Sequence, residues 1–205
     1  MKTLFIPAKL KLEINNSKIL PISNKLPKNI AIAYSVQYEN YAKEIKNFLQ
    51  KNHKIIKFVQ VLGCSKLKFP KNTKAILLIS DGKFHAISLA CETELPVYLL
   101  ENNQLIKISE KDVENLKKKQ KGAYVKFLNA KKMGILVSTK PGQQNLKKAL
   151  EIKNKIKNKE TYLFISNNIN TTEFDNFPEI ESWVNTACPR LDMEDARIIN
   201  MSRIE

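Results

Sequence analysis

Ile30-Ala31-Ile32-Ala33-Tyr34-Ser35-Val36 and Met133-Gly134-Ile135-Leu136-Val137-Ser138-Thr139 are two apolar runs far apart in the chain, and similar sequence follows each. A strand with one wet face would alternate apolar and polar residues. A continuous run of this length matches a strand covered on both faces of a parallel sheet. Gln37 follows the first run and Gln143 the second. Tyr41, Ile45, Phe48 and Leu49 then fall at helical spacing, as do Leu146, Ala149, Leu150 and Ile156 in the second half. Residues 55–59 and 161–166 read as the next strands. Each half is β-α-β, which needs a crossover helix and gives a parallel sheet. The expected fold is α/β: two repeated Rossmann-like units with parallel sheets and flanking helices.

Working outward, residues 75–80 and 96–100 read as further strands of the first unit. Ser109 and Asp112 are spaced as a capping box that opens a helix running to about residue 130. The domain boundaries expected are 1–26 as a remnant strand and linker, 27–130 as a middle domain and 131–205 as a C-terminal domain. Residues 4–14 alternate in the manner of a strand, with Pro7 confining it to an edge or a bend. Asn15-Asn16-Ser17 carries a turn signal, and Leu20 to Pro27 reads as the link into the first unit.

The second half ends on Ser182-Trp183-Val184-Asn185-Thr186-Ala187-Cys188-Pro189-Arg190. A β-favouring run meets Pro189, which has no N–H to pair and a fixed φ, so the chain leaves the sheet there. Cys188 and Arg190 are thereby placed at the carboxyl lip of a strand, the side on which open α/β sheets bind ligands. Cys64 lies in a loop after the strand at 55–59, beside Gly63. Cys91 shares a helical face with Ile87 and Ala90 and reads as packing. His85 follows the Asp81-Gly82 turn near a helix start, where backbone N–H groups favour anions. His53 in a Lys-rich turn, and Asp192, Glu194 and Asp195 near the chain end, read as solvated.

The chain has 205 residues, is 43% hydrophobic and carries a net charge of +15. Its longest apolar runs are too short to cross a membrane and the first residues lack a leader's apolar core, so a cytoplasmic protein is expected. All basic residues except Arg190, Arg197 and Arg203 are lysine. Arginine is the preferred fork for phosphates and bases, so no direct nucleic-acid contact is expected. Three cysteines without a CxxC pair point away from disulfides and from a self-contained zinc site. No GxGxxG is present, which weakens a dinucleotide-binding reading. A docking module that does no chemistry stays open, although it would need neither Cys64 nor Cys188.

Val61-Leu62-Gly63-Cys64, Ser80-Asp81-Gly82-Lys83-Phe84-His85, Ser138-Thr139-Lys140-Pro141-Gly142-Gln143 and Ala187-Cys188-Pro189-Arg190 occur in an order and spacing that resembles the diphthamide synthase family, the 2-(3-amino-3-carboxypropyl)histidine synthases. The resemblance covers nearly the whole chain and matches the middle and last of that family's three α/β domains. It implies a 4Fe-4S cluster held by one cysteine from each domain, with Cys64 and Cys188 as two of the ligands. It implies S-adenosylmethionine as substrate, bound near His85, Gln143 and Arg190. It implies radical transfer of the 3-amino-3-carboxypropyl group to a histidine of translation elongation factor 2. The family's first domain and its cysteine have no counterpart here. A separate chain is therefore expected to supply them, in a homo- or heterodimer, with a non-catalytic accessory subunit as the alternative.

Overall fold

The computed structural model describes residues 3–62 and 67–204. The chain divides into two compact units, Met1–Glu114 and Asn115–Glu205. Each builds its own α/β sheet, as the two apolar runs require.

In the first unit, helix α1 (Asn16–Ser23) precedes β1 (Asn29–Tyr34), and a 3-10 turn (Val36–Tyr38) leads into α2 (Glu39–Leu49). Then come β2 (Lys54–Gln60), β3 (Ala75–Ile79), α3 (Lys83–Thr93), β4 (Val97–Glu101) and β5 (Gln104–Lys107). The strand order is β2-β1-β3-β4-β5. All neighbours are parallel except β5, which returns antiparallel from β4. Asn102 and Asn103 make that return with positive φ, the twist a two-residue hairpin needs. β1 and β3 are interior strands, buried throughout apart from the half-buried Asn29, which is why they read as unbroken apolar runs. Ile30, Ile32, Leu77 and Ile79 pack against Ile45 and Leu49 of α2 and Ile19 and Ile22 of α1.

Residues 3–15 are not a strand. They form no regular element, and Leu4, Phe5 and Ile6 are 83%, 70% and 80% exposed. Alternation alone could not make a strand without a partner strand to bond to. The segment is held to the first unit by Leu10 N donating to Gln37 O at 2.8 Å and by Lys9 against Glu39 at 2.8 Å. Hydrogen bonds from Lys43 and then Lys9 hold the Glu39 carboxyl down to about 2. The Asn15 turn signal is a helix cap: its Oδ1 accepts from the N–H groups of Ser17 and Lys18 and opens α1, where a linker was expected. His53 is also not solvated. Its Nε2 pairs with Ser23 Oγ at 2.8 Å and its Nδ1 with Pro27 O at 3.0 Å, tying α1 to the end of α2.

Helix α4 (Glu110–Asn129) contains the division between the units. Its start is half of the expected box: Asp112 N donates to Ser109 Oγ at 3.1 Å, but the Asp112 carboxylate accepts from the Ser109 hydroxyl, at 2.8 Å, in place of the Ser109 backbone N–H. The second unit continues with β6 (Lys132–Ser138), α5 (Leu146–Lys155), β7 (Glu160–Ser166), β8 (Ser182–Asn185), the short helix α6 (Leu191–Glu194) and β9 (Ile198–Asn200). The order is β7-β6-β8-β9, all parallel. Trp183 is buried under β6, stacked on Phe174 at 4.1 Å and edge-on to Phe164 at 4.7 Å. Among the described residues no helix is long and apolar enough to cross a membrane.

Candidate functional site

In the second unit β6 leads to β7 on one side and β8 lies on the other, so the loops after β6 and β8 diverge at the carboxyl edge of the sheet. Such a point opens a crevice in doubly wound sheets. Both loops there are built by their sequences. After β6, Lys140-Pro141-Gly142-Gln143 is a turn with Pro second, Gly142 third at φ 79° and Gln143 N donating to Lys140 O at 3.0 Å. Only a residue free of Cβ strain fits that third position easily, which accounts for the Pro-Gly pair. Asn145 then donates from Nδ2 to Thr186 O at 2.7 Å, fastening this loop to the one after β8.

After β8, Thr186 is fully buried, and both its N–H and its Oγ1 donate to Leu136 O, at 3.2 and 2.7 Å. The chain turns at once. Asn185 Oδ1 accepts from Ala187 N at 2.9 Å, and Asn185 Nδ2 donates to Cys188 O at 2.8 Å. Cys188 is half-buried on this turn and is not in a disulfide. Leu191 N and Asp192 N donate back to Cys188 O and Pro189 O, starting α6. The structure therefore puts Gln143 and Cys188 on two tied loops at one edge. Arg190 points its guanidinium outward, with its side chain 66% exposed and Nε 3.7 Å from Glu194. Asp192, expected on the surface, is buried beneath it. Burial raises its carboxyl above the usual range, partly offset by hydrogen bonds from Gln120 and Asn200 and by the charges of Arg203 and Lys119. Asp195 is not solvated either: it takes a fork from Arg197, whose other arm reaches Asp175 at 2.9 Å.

The carboxyl edge of the first unit carries its own polar set. Gln37 and Tyr38 leave β1 and meet Asp81 after β3: Gln37 Nε2 lies 3.4 Å from one Asp81 oxygen, and the Tyr38 hydroxyl donates to the other. Burial first, then that hydrogen bond, lifts the Tyr38 phenol well above its ordinary value. Gly82, at φ 70°, donates its N–H to Glu101 at 2.6 Å and opens α3. His85 stands in the first turn of α3, half-buried, with Nδ1 3.4 Å from Ser80 Oγ and its ring beside Phe84. The Ser35 hydroxyl is buried at the end of β1 with no hydrogen-bond partner among the described residues. Cys91 is half-buried on α3. Cys64 follows β2 in the chain and lies outside the described residues.

Sequence reading missed Tyr38, Asp81, Asn185, Asn200 and Asp192 as parts of these edges. The Asn185–Asn200 pairing depended on recognising β9, which is only three residues long. Among the described residues, no three His, Cys, Asp or Glu side chains gather closely enough to hold a metal ion.

A sequence profile of diphthamide synthesis proteins matches residues 1–198. The chain is 30% identical over 207 residues to the 2-(3-amino-3-carboxypropyl)histidine synthase of Pyrococcus horikoshii, covering 94% of this chain and 60% of that protein. It is 26% identical over 216 residues to subunit 1 of the same synthase from Schizosaccharomyces pombe, covering 95% of this chain and 49% of that one. The crystal structure of Dph2 from Pyrococcus horikoshii superposes with a TM-score of 0.76 at 27% identity, over 92% of this chain and 60% of that one. The structure of the same protein with a 4Fe-4S cluster gives 0.74, over 92% and 59%. The chain thus spans between about half and three fifths of the length of these relatives. With the profile running through both units and both carboxyl edges, the chain belongs to the family of diphthamide synthesis proteins.

Proposed function

We propose that this chain is a component of a 2-(3-amino-3-carboxypropyl)histidine synthase, acting in the first step of diphthamide formation. The observation that carries the reading is Cys188, a half-buried thiol on a hydrogen-bonded turn at the ligand-binding edge of a sheet, in a chain of this family. Thiolates are the natural ligands of iron–sulfur clusters, so the donor fits the group that a solved relative contains. Cys64 supplies the second thiolate. The third comes from the region of the relatives that this chain does not span, carried by a partner polypeptide, with the exposed Leu4, Phe5 and Ile6 as the docking side chains.

When bound, the 4Fe-4S cluster supplies the electron that splits the Cγ–S bond of S-adenosylmethionine. The chain's own side chains bind and orient that substrate. Arg190 extends an exposed guanidinium from the Cys188 turn, the group whose planar fork suits the methionine carboxylate. Gln143 offers an amide from the rigid Pro-Gly turn on the neighbouring loop. His85, beside Ser80, presents an imidazole at the carboxyl edge of the first unit's sheet. The acceptor is a histidine of translation elongation factor 2, which sets the reaction in the cytoplasm, and methylthioadenosine leaves.

The test is anaerobic reconstitution with iron and sulfide, alone and with the partner. The complex is expected to hold a four-iron cluster, and the isolated chain little iron. Cys64→Ala and Cys188→Ala should each remove it. Undiminished iron in both variants would refute the ligand assignment and favour an accessory subunit.

A further inference from the structure

Asn185 and Asn200 are the last residues of β8 and β9 and stand opposite each other in the parallel register. Both side chains are buried, at 1% and 7% exposure. Asparagine at a strand end is commonly a surface hydrogen-bonder, so two buried ones side by side need partners inside the fold. They have them, and the partners force the amide orientation. Ala187 N–H can only donate, so the Asn185 atom facing it is the oxygen. Asn185 Nδ2 then donates to Cys188 O at 2.8 Å and to Asn200 Oδ1 at 2.6 Å. Pro189 O can only accept, and Asn200 Nδ2 donates to it at 3.0 Å. Asp192 N donates to the same Pro189 O at 3.2 Å, and the buried Asp192 carboxylate takes Gln120 Nε2 from α4 at 3.2 Å. Lys119 of α4 donates to Met193 O just beyond. A continuous hydrogen-bonded chain therefore runs from helix α4 through α6 and the ends of two strands to the carbonyls of Cys188 and Pro189.

We propose that Asn200 and Asn185 are positioning residues that set the backbone of Cys188, so that its thiol is presented in one geometry for metal ligation, with Asp192 and Gln120 anchoring the chain to α4. This rests on the reading of Cys188 as a ligand. The design follows from the chemistry. A metal-bound sulfur must be held by its supporting residues, because the outer partners of a ligand fix its direction. Pro189 removes one N–H from the turn, and the carbonyls on either side of it are the groups that can be gripped from behind. Both are gripped by side-chain amides, which hold the turn from behind.

The test uses the full-length chain and iodoacetamide, with modification of each cysteine followed by peptide mass spectrometry. Asn200→Ala removes the grip on Pro189 O and the brace on Asn185. Two buried hydrogen bonds are lost, each worth about fivefold in the local opening equilibrium, so Cys188 should be alkylated at least about fivefold faster, with Cys91 unchanged as internal reference. Gln120→Ala, a milder change at the far end, should give a smaller increase of the same sign and keeps the test open if Asn200→Ala does not fold. Ile152→Val, a buried substitution elsewhere in the unit, serves as the control for general loosening. An unchanged Cys188 rate in both chain variants would overturn the proposal, as would an equal rise in Ile152→Val. In the reconstituted complex, Asn200→Ala should bind the cluster but lose it to a chelator severalfold faster. If Cys188→Ala leaves iron untouched while Asn200→Ala still quickens alkylation, the ligand reading has failed and the positioning chain has not.

Discussion

Gly134→Ala is a one-carbon change whose cost can be worked from the packing. Gly134 lies on β6 directly against the indole of Trp183, its neighbour in register on β8. A Cβ there would stand 2.3 Å from Trp183 Cε3 and 2.4 Å from Cζ3, far inside van der Waals contact. The ring has little room to retreat, because Phe174 stacks on it at 4.1 Å and Phe164 closes its edge at 4.7 Å. Overpacking of a filled core costs about 1–3 kcal/mol. Alanine returns roughly 0.5–1 kcal/mol by restricting the unfolded chain. The net loss spans about 0–2.5 kcal/mol, with a midpoint a little above 1 kcal/mol. In a unit the size of Asn115–Glu205 each kcal/mol moves Tm by about 4–8 °C, so a drop of about 5–10 °C is expected at that midpoint. Trp183 is the only tryptophan, so its fluorescence reports this unit directly. Shrinking the ring in Gly134→Ala/Trp183→Leu should make the double variant less unstable than the two single losses added together, read by circular dichroism. A Gly134→Ala protein that melts at or above the parent temperature would refute this account of the β6–β8 contact. Because Trp183 shares β8 with Asn185, the same variant should also speed alkylation of Cys188.

Two carboxylates should respond to acid in opposite senses. Burial opposes ionisation of Asp195, but the Arg197 hydrogen bonds and charge outweigh it and lower the carboxyl; its stabilisation is present above the ordinary carboxylate range and fades as pH falls below it. The Tm gap between parent and Asp195→Asn should therefore narrow on acidification. Asp192 is raised, so its contribution is fullest at low pH and is lost as pH rises through the raised value; relative to Asp192→Asn, the parent should gain stability on acidification. Melting curves from pH 3 to 7, a span of about four units around the usual carboxylate pKa, check both signs. Cys91→Ala should leave the iron content of the reconstituted complex unchanged, and lost iron would make Cys91 a ligand. Replacing Leu4, Phe5 and Ile6 together by serine should weaken partner binding at least tenfold by calorimetry while leaving Tm within about 2 °C, since these exposed side chains support no core.

The legible parts of the fold were those decided by burial on both faces. β1, β3 and β6 read correctly because a doubly covered strand has only apolar residues to show, and α2 and α5 read from their stripes. The segment at 4–14 alternated convincingly, yet a strand is a pairing and the described chain offers it no partner. α1 was missed because Pro21 sits inside it and its cap reads equally well as a turn. β5 and β9 were too short to carry a period. At the site, Cys188, Gln143 and His85 were visible because Pro, Gly and His mark strand ends. The groups that hold them were not. Asp192 looked like surface charge until α4 was seen to cover it, and Asn185 with Asn200 became a pair only through the register of β8 and β9.

The central claim is that this chain supplies Cys188 and Cys64 to a cluster that serves aminocarboxypropyl transfer. The most direct measurement is the mass of elongation factor 2 after anaerobic incubation with S-adenosylmethionine, a reductant, this chain and its partner. The account predicts one 3-amino-3-carboxypropyl adduct on a single histidine with the parent chain, and none with Cys188→Ala or Cys64→Ala. Full modification by the complex carrying both substitutions would contradict it.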